Sequence, residues 1–359
     1  MFINSKGVIM KKELLLGTAL VSTLGAASVA EAVTMSMSGN HQVGIEQESP
    51  DSGGDSRSNN NDNNFTVSLS ETTDGGMTIS SSFMLANETM AGTDGDAGFT
   101  LAFTDGSKLD LINAGNASGS HDISVPGSAG AEGITVTTTN KAPTGLDFAA
   151  GSTQFGVEYH TAADFMIDGL KMSFSASTDN GATATSTYKV DGHYGIGATY
   201  VTTAGDTTLT IGAGLSETEG ANTGTAPSED EGGVHLGVSA VTGDLTVAIG
   251  FADGDSIEST TASTPAVQVD GDVVKAGVKY VTGDLTFNVG VTSAEGIDNS
   301  FSGTGTTADA YDKTSASVSY AVASGVTAIL GYSDIESQNE GAADDKDGSA
   351  WFIGANMSF

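Results

Sequence analysis

A heptapeptide close to Tyr-Val-Thr-Gly-Asp-Leu-Thr returns along this chain at a period of about forty residues, and that recurrence restricts the fold more than any other feature. It stands as Tyr280-Val281-Thr282-Gly283-Asp284-Leu285-Thr286 and, one period earlier, as Ala240-Val241-Thr242-Gly243-Asp244-Leu245-Thr246. Looser copies begin at Tyr320, Tyr200 and Tyr159. The period suits a unit of strand, tight turn, strand and long loop, repeated around one architecture.

Within each unit the residues alternate between two faces. Leu245, Val247, Ile249 and Phe251 fall on one face, and Thr246, Ala248 and Gly250 on the other. Val274, Ala276, Val278 and Tyr280 oppose Lys275, Gly277 and Lys279; Leu285, Phe287, Val289 and Val291 oppose Thr286, Asn288 and Gly290. Phe155, Val157 and Tyr159 likewise oppose Glu158 and His160, Leu170 and Met172 oppose Lys171, and Tyr194 to Tyr200 oppose Lys189, Asp191 and His193. On this reading every ionisable strand residue lies on the polar face. A soluble sandwich also alternates, but its polar face meets bulk water. Here that face is mostly Gly, Ser, Thr and Ala, as a confined aqueous bore requires, so the pattern predicts an apolar band facing lipid. A slip of one residue would carry Lys275 and Lys279 into lipid, at roughly 2–4 kcal/mol each near the midplane.

Sixteen strands are expected, at 33–45, 64–71, 76–86, 97–104, 107–114, 152–160, 169–177, 187–201, 206–216, 233–242, 244–253, 272–282, 284–294, 313–323, 325–334 and 349–359. An even count puts both ends on one side and lets the first strand pair the last. Closure removes the edges whose bare backbone groups cost several kcal/mol each in hydrocarbon. The fold class predicted is an all-β, 16-stranded antiparallel transmembrane β-barrel, with short turns at one rim and long loops at the other. The longest connection, 115–151, carries Asp122, Glu132 and Asp147 against Lys141. A structureless segment of that length is usually functional. One reading leaves it outside the barrel, with 134–139 as an extra hairpin strand.

The N-terminal segment reads as a secretory signal peptide over 1–32, its natural start at Met10: Lys11-Lys12, an apolar run from Leu14 to Val21, and an Ala30-Glu31-Ala32 cleavage site. The barrel domain then occupies 33–359. No cysteine is present, so neither disulfides nor thiol chemistry is available. Twelve basic against 45 acidic residues give a formal charge of −33, which argues against nucleic acid as a partner.

Signal peptide, alternating strands, alternating loop lengths and the ending together resemble the general (non-specific) porins of Gram-negative outer membranes, most of all the alphaproteobacterial type. In that ending Trp351, Ile353, Ala355, Met357 and Phe359 are apolar at every second place, like the strand read by the outer-membrane assembly machinery. The resemblance implies an outer-membrane homotrimer in contact with lipid, passing ions and small hydrophilic solutes by diffusion, with the 115–151 loop folded inward. It also implies an arginine cluster facing that loop. This chain departs there, having only Arg57, placed in the first outer loop. Lumenal Lys108, Lys171, Lys189, Lys275 and Lys279, beside Glu158 and Asp191, take the place of that cluster. The excess of acids predicts cation preference.

Two other readings remain open: a substrate-selective channel, which would show an aromatic slide along the bore, and a secreted calcium-dependent β-repeat adhesin or surface-layer protein. Asp94 with Asp96, and Asp344, Asp345 and Asp347, could hold structural Ca²⁺ in outer loops, though neither group has EF-hand spacing. No cofactor is otherwise implied. The five histidines show no metal-ligand spacing in sequence and no catalytic set is visible, so an enzyme is not expected.

Overall fold

The computed structural model of the chain describes residues 33–51, 54–86, 98–111, 116–127, 156–178, 189–221, 231–258, 267–297, 308–338 and 347–359. These form sixteen antiparallel strands. In chain order they are β1 (Thr34–Pro50), β2 (Ser56–Thr72), β3 (Thr78–Ala86), β4 (Phe99–Ala102), β5 (Lys108–Leu111), β6 (Val157–His160), β7 (Leu170–Thr178) and β8 (Lys189–Ala204). There follow β9 (Thr207–Ala221), β10 (Glu231–Thr242), β11 (Leu245–Glu258), β12 (Val267–Thr282), β13 (Leu285–Ile297), β14 (Ala308–Ala323), β15 (Val326–Gln338) and β16 (Gly348–Ser358). Each pairs with its sequence neighbours, and β1 pairs with β16 from Asn40↔Ser358 to Pro50↔Gly348, so the sheet closes. Every expected strand is present and in order. Many run further into the long-loop rim than the sequence indicates, because pairing continues after the apolar alternation ends. The alternative of an extra strand at 134–139 falls on residues outside those described.

The short rim is set by glycine. Gly205, Gly243 and Gly283 open two-residue connections at φ 63°, 56° and 58°, each followed by an Asp, which is the pattern of a type II′ turn. In the β14–β15 connection the glycine moves to second place, as Ser324-Gly325 (Gly325 φ 76°), and the flanking register shifts at Ala321/Ala323. The turn residue thus decides whether the ladder runs straight or bulges.

The faces are inverted relative to a soluble protein. Ile249 is 53 % exposed and Val289 51 %, whereas Ser173 and Ser333 are fully buried. The apolar side chains point out of the cylinder and the small polar ones into it. Tyr200, Tyr280 and Tyr320 stand near the short turns on the outward face, and Trp351 pairs with Tyr332 at the opposite level. These form the aromatic margins of a lipid-facing band.

The expectation that strands keep all ionisable residues inside needs correction. Glu217, Asp253, Glu295, Asp312, Asp334 and Glu336 share the outward parity, past the continuous apolar run of their strands on the long-loop side. They stand where the band has ended and headgroups and water begin. Three further placements differ. Glu46 and Glu48 belong to β1 and are buried on the inward face. Arg57 belongs to β2 rather than to a loop, and its Nε donates to Gln47 Oε1 at 2.8 Å on the outward face.

Candidate pore constriction and lumen wall

The segment 116–127 lies inside the barrel. Its inward course follows from a row of glycines on the inner face: Gly195 and Gly197 of β8, Gly212 and Gly214 of β9, Gly237 of β10, Gly250 of β11, Gly277 of β12 and Gly290 of β13. The pairings Gly197↔Gly214, Gly212↔Gly237 and Gly237↔Gly250 carry the row from β8 to β11, and Gly277↔Gly290 continues it on β12 and β13, where Gly277 faces the small Ala248 of β11. A Cβ at Gly212 would overlap the His121 carbonyl oxygen, and one at Gly277 the Pro126 carbonyl oxygen. The wall is therefore glycine where backbone passes over backbone. Ile123 and Val125 fill the depression and form a small buried cluster with Ala248.

Polar contacts fix this course at both ends. Ala117 N–H donates to Ser175 Oγ of β7 (3.0 Å), and His235 Nε2–H of β10 donates to the Ser118 carbonyl (2.8 Å). At the far end Ser315 Oγ of β14 donates to the Gly127 carbonyl. Between them the 3-10 turn Gly119–His121 closes through His121 N–H to Ser118 O and Asp122 N–H to Gly119 O. Ser120 Oγ donates to Glu158 Oε1 at 2.6 Å. The buried His121 ring joins Thr199 Oγ1 through Nδ1 (2.7 Å) and Ser173 Oγ through Nε2 (2.8 Å). Loss of its hydration on burial, with further pressure from Lys171, His160 and His235, lowers the His121 pKa to about 4. It is neutral at pH 7.

Ser173 Oγ also meets His160 Nδ1 at 2.7 Å, which extends the network to β5 and β6. There His160 Nε2 lies 2.9 Å from Asp110 Oδ2 and 3.4 Å from Glu158 Oε1, and Lys108 Nζ is 3.0 Å from the same Asp110 oxygen. Thr100 Oγ1 donates to Asp110 Oδ1. The cross-strand pairs Lys108↔His160 and Asp110↔Glu158 place all four groups on one patch of inner wall.

Of the residues expected at the site, the structure brings together Asp122, Lys108, Glu158 and Lys171 around the start of the inward segment. Asp122 Oδ1 stands 3.9 Å from His235 Nδ1. Lys275 and Lys279 are inward on β12, on either side of Gly277, together with Lys313 of β14. That side faces β5 and β6 across the barrel, so the lysine trio stands opposite the Asp110–Glu158 pair, which has Lys108 as its own neighbour. Lys189 and Asp191 are on β8, but their side chains lie outside the described residues. So do Glu132, Lys141 and Asp147 of the long loop, and Asp94, Asp96, Asp344 and Asp345. Asp347 is described, and its carbonyl accepts from Asp51 N–H at 2.8 Å. In the ending, Ile353, Met357 and Phe359 point outward, and Trp351 shares their parity.

Sequence reasoning missed Asp110, His121, Ser173, Thr199, His235 and the glycine row. The sequence signal for the row is Gly at polar-face positions of successive strands, which by itself indicates no more than a small lining.

A family model described as Gram-negative porin matches residues 17–340. The solved structures show the same architecture. A porin refined at 1.8 Å resolution superposes with a TM-score of 0.62 at 18 % identity, covering 91 % of this chain and all of that one. An anion-selective porin from Comamonas acidovorans gives 0.64 at 12 % identity, with 91 % and 100 % covered. Salmonella typhi OmpF, in complex with daunomycin, gives 0.59 at 14 % identity, with 90 % and 97 % covered. No curated protein sequence matches. A closed lipid-facing barrel with a segment folded into its bore defines a β-barrel channel of the outer membrane. The chain belongs to the Gram-negative porin family.

Proposed function

We propose that this porin is a diffusion channel for ions and small hydrophilic solutes with a preference for cations. The family supplies the outer-membrane channel, and the charge supplies the preference. Acidic residues outnumber basic ones 45 to 12 in the chain. The carboxylates of Asp110 and Glu158 gather on the wall where the inward segment begins, with Asp122 on that segment. A narrow aqueous gap between low-dielectric walls focuses such fields and enriches the counter-ion. Lys275, Lys279 and Lys313 across the bore lend the field a direction, which orients dipolar solutes without selecting one. An aromatic slide, which a substrate-selective channel would need, does not appear among the described residues; Phe352 and Tyr311 point inward but are buried in separate apolar clusters.

We further infer a signal peptide over 1–32, a homotrimeric assembly, and a role for the β16 ending in recognition by the assembly machinery. The trimer form of a similar barrel, OmpT of Vibrio cholerae, supports the second of these. The test of selectivity is the reversal potential of the reconstituted channel in a KCl gradient. Cation preference gives the sign of a K⁺-permeable pore. A reversal potential of the opposite sign would overturn the preference and leave the barrel intact.

A further inference from the structure

We propose that Asp110, Glu158 and His160 form a binding site for a first-row divalent transition metal of the Zn²⁺ class on the lumen wall. Oδ2 of Asp110, Oε1 of Glu158 and Nε2 of His160 lie within 4.8 Å of one another. The His160 nitrogen is 2.9 Å and 3.4 Å from the two oxygens. Ligand atoms around one tetrahedral zinc ion, each about 2.0–2.2 Å from the metal, stand roughly 3.3–3.6 Å apart, so the Asp110 oxygen has only to move back a few tenths of an ångström from His160 and the two carboxylates to close on each other.

The fold explains why a cation belongs there. Asp110 and Glu158 are directly opposite across β5 and β6, an arrangement that repels unless a positive charge lies between them. His160 Nε2 faces both oxygens, so it carries either a proton or a metal ion. Glu158 and His160 are 2 % and 4 % exposed, so neither charge is relieved by bulk water. Once Nε2 exchanges its proton for metal, the other nitrogen of His160 has a partner in place: Nδ1–H would donate to Ser173 Oγ (2.7 Å), whose hydroxyl would donate to His121 Nε2 (2.8 Å), and His121 Nδ1–H to Thr199 Oγ1 (2.7 Å). Such outer contacts fix the tautomer that leaves Nε2 free for metal. One imidazole with two carboxylates suits a borderline metal better than calcium, which prefers six to eight oxygens.

Lys108 is the competing counter-ion. Its ammonium touches the Asp110 oxygen at 3.0 Å and its side chain is 38 % exposed, so it can swing into the bore when metal arrives. Site occupancy is therefore set by an exchange of the Lys108 ammonium and the His160 proton for one dication.

The test is zinc binding to the folded mature chain in detergent, stripped with chelator and titrated calorimetrically with ZnCl₂ in excess Ca²⁺ and KCl to occupy the acidic surface. Wild type should bind one Zn²⁺ per chain. His160→Ala and the near-isosteric Glu158→Gln should each weaken binding by at least tenfold, and Lys108→Gln should strengthen it severalfold. Heat-modifiable gel mobility confirms that each variant is folded, and Glu158→Gln carries the test should His160→Ala misfold. The proposal is overturned if wild type shows no saturable stoichiometric zinc, if the ligand variants bind as wild type does, or if calcium displaces zinc in proportion. Binding is measured without current, so its outcome is separate from that of ion selectivity.

Discussion

At the scale of single residues, the seating of the inward segment depends on atoms that are absent. Gly212 and Gly250 lie in the same row, but a Cβ at Gly212 meets backbone, whereas one at Gly250 finds only Val125 Cγ2 at an ordinary 3.5 Å. Gly212→Ala should therefore cost about 1–3 kcal/mol of overpacking, while Gly250→Ala should be nearly neutral; thermal unfolding of the two variants compares them. His121 supplies a pH dependence. With its pKa near 4 when seated and near the ordinary 6.5 when released, the released state binds the extra proton between those values. The seating is thus at full strength above about pH 6.5 and weakens as pH falls toward 4. His121→Gln should remove that part of the acid sensitivity, measured as the unfolding midpoint between pH 7 and pH 4. An unchanged slope would show that the proton acts elsewhere.

At the scale of elements, register decides what meets lipid. Ile249 is outward in the apolar stretch of β11 and Thr246 inward on the same strand. Ile249→Lys should cost roughly 2–4 kcal/mol and Thr246→Lys far less, read as equilibrium unfolding from phospholipid vesicles. Equal effects would mean that the faces are misassigned. The alternation of β11 to β13 was legible because a period of two with one polarity per face admits a single register. The outer ends of those strands were not, since pairing persists there after lipid has ceased to dictate side chains; Asp253, Glu295 and Asp312 mark the change. The inward segment was legible only as length and charge. Its docking depends on glycines brought side by side by pairing, a relation that no local window contains. Asp110 was missed for the same reason: it stands far from Glu158 in sequence and opposite it in the sheet.

At the scale of the whole molecule, closure of β1 on β16 lets the chain be apolar outside and polar inside without an exposed edge. A soluble β-repeat protein would gain nothing from burying Ser173, Ser315 and Ser333 while exposing Ile249, Val289 and Ile353. The family match and the inverted faces therefore point to the same environment. They leave the bore to be defined by the wall, the inward segment and the charges between them. The most direct test of a lipid-wrapped, water-filled cylinder is planar-bilayer recording of the purified, heat-modifiable barrel added from detergent. Discrete current steps that scale with KCl concentration are the predicted result. A folded barrel that inserts into the bilayer and passes no current would contradict the account.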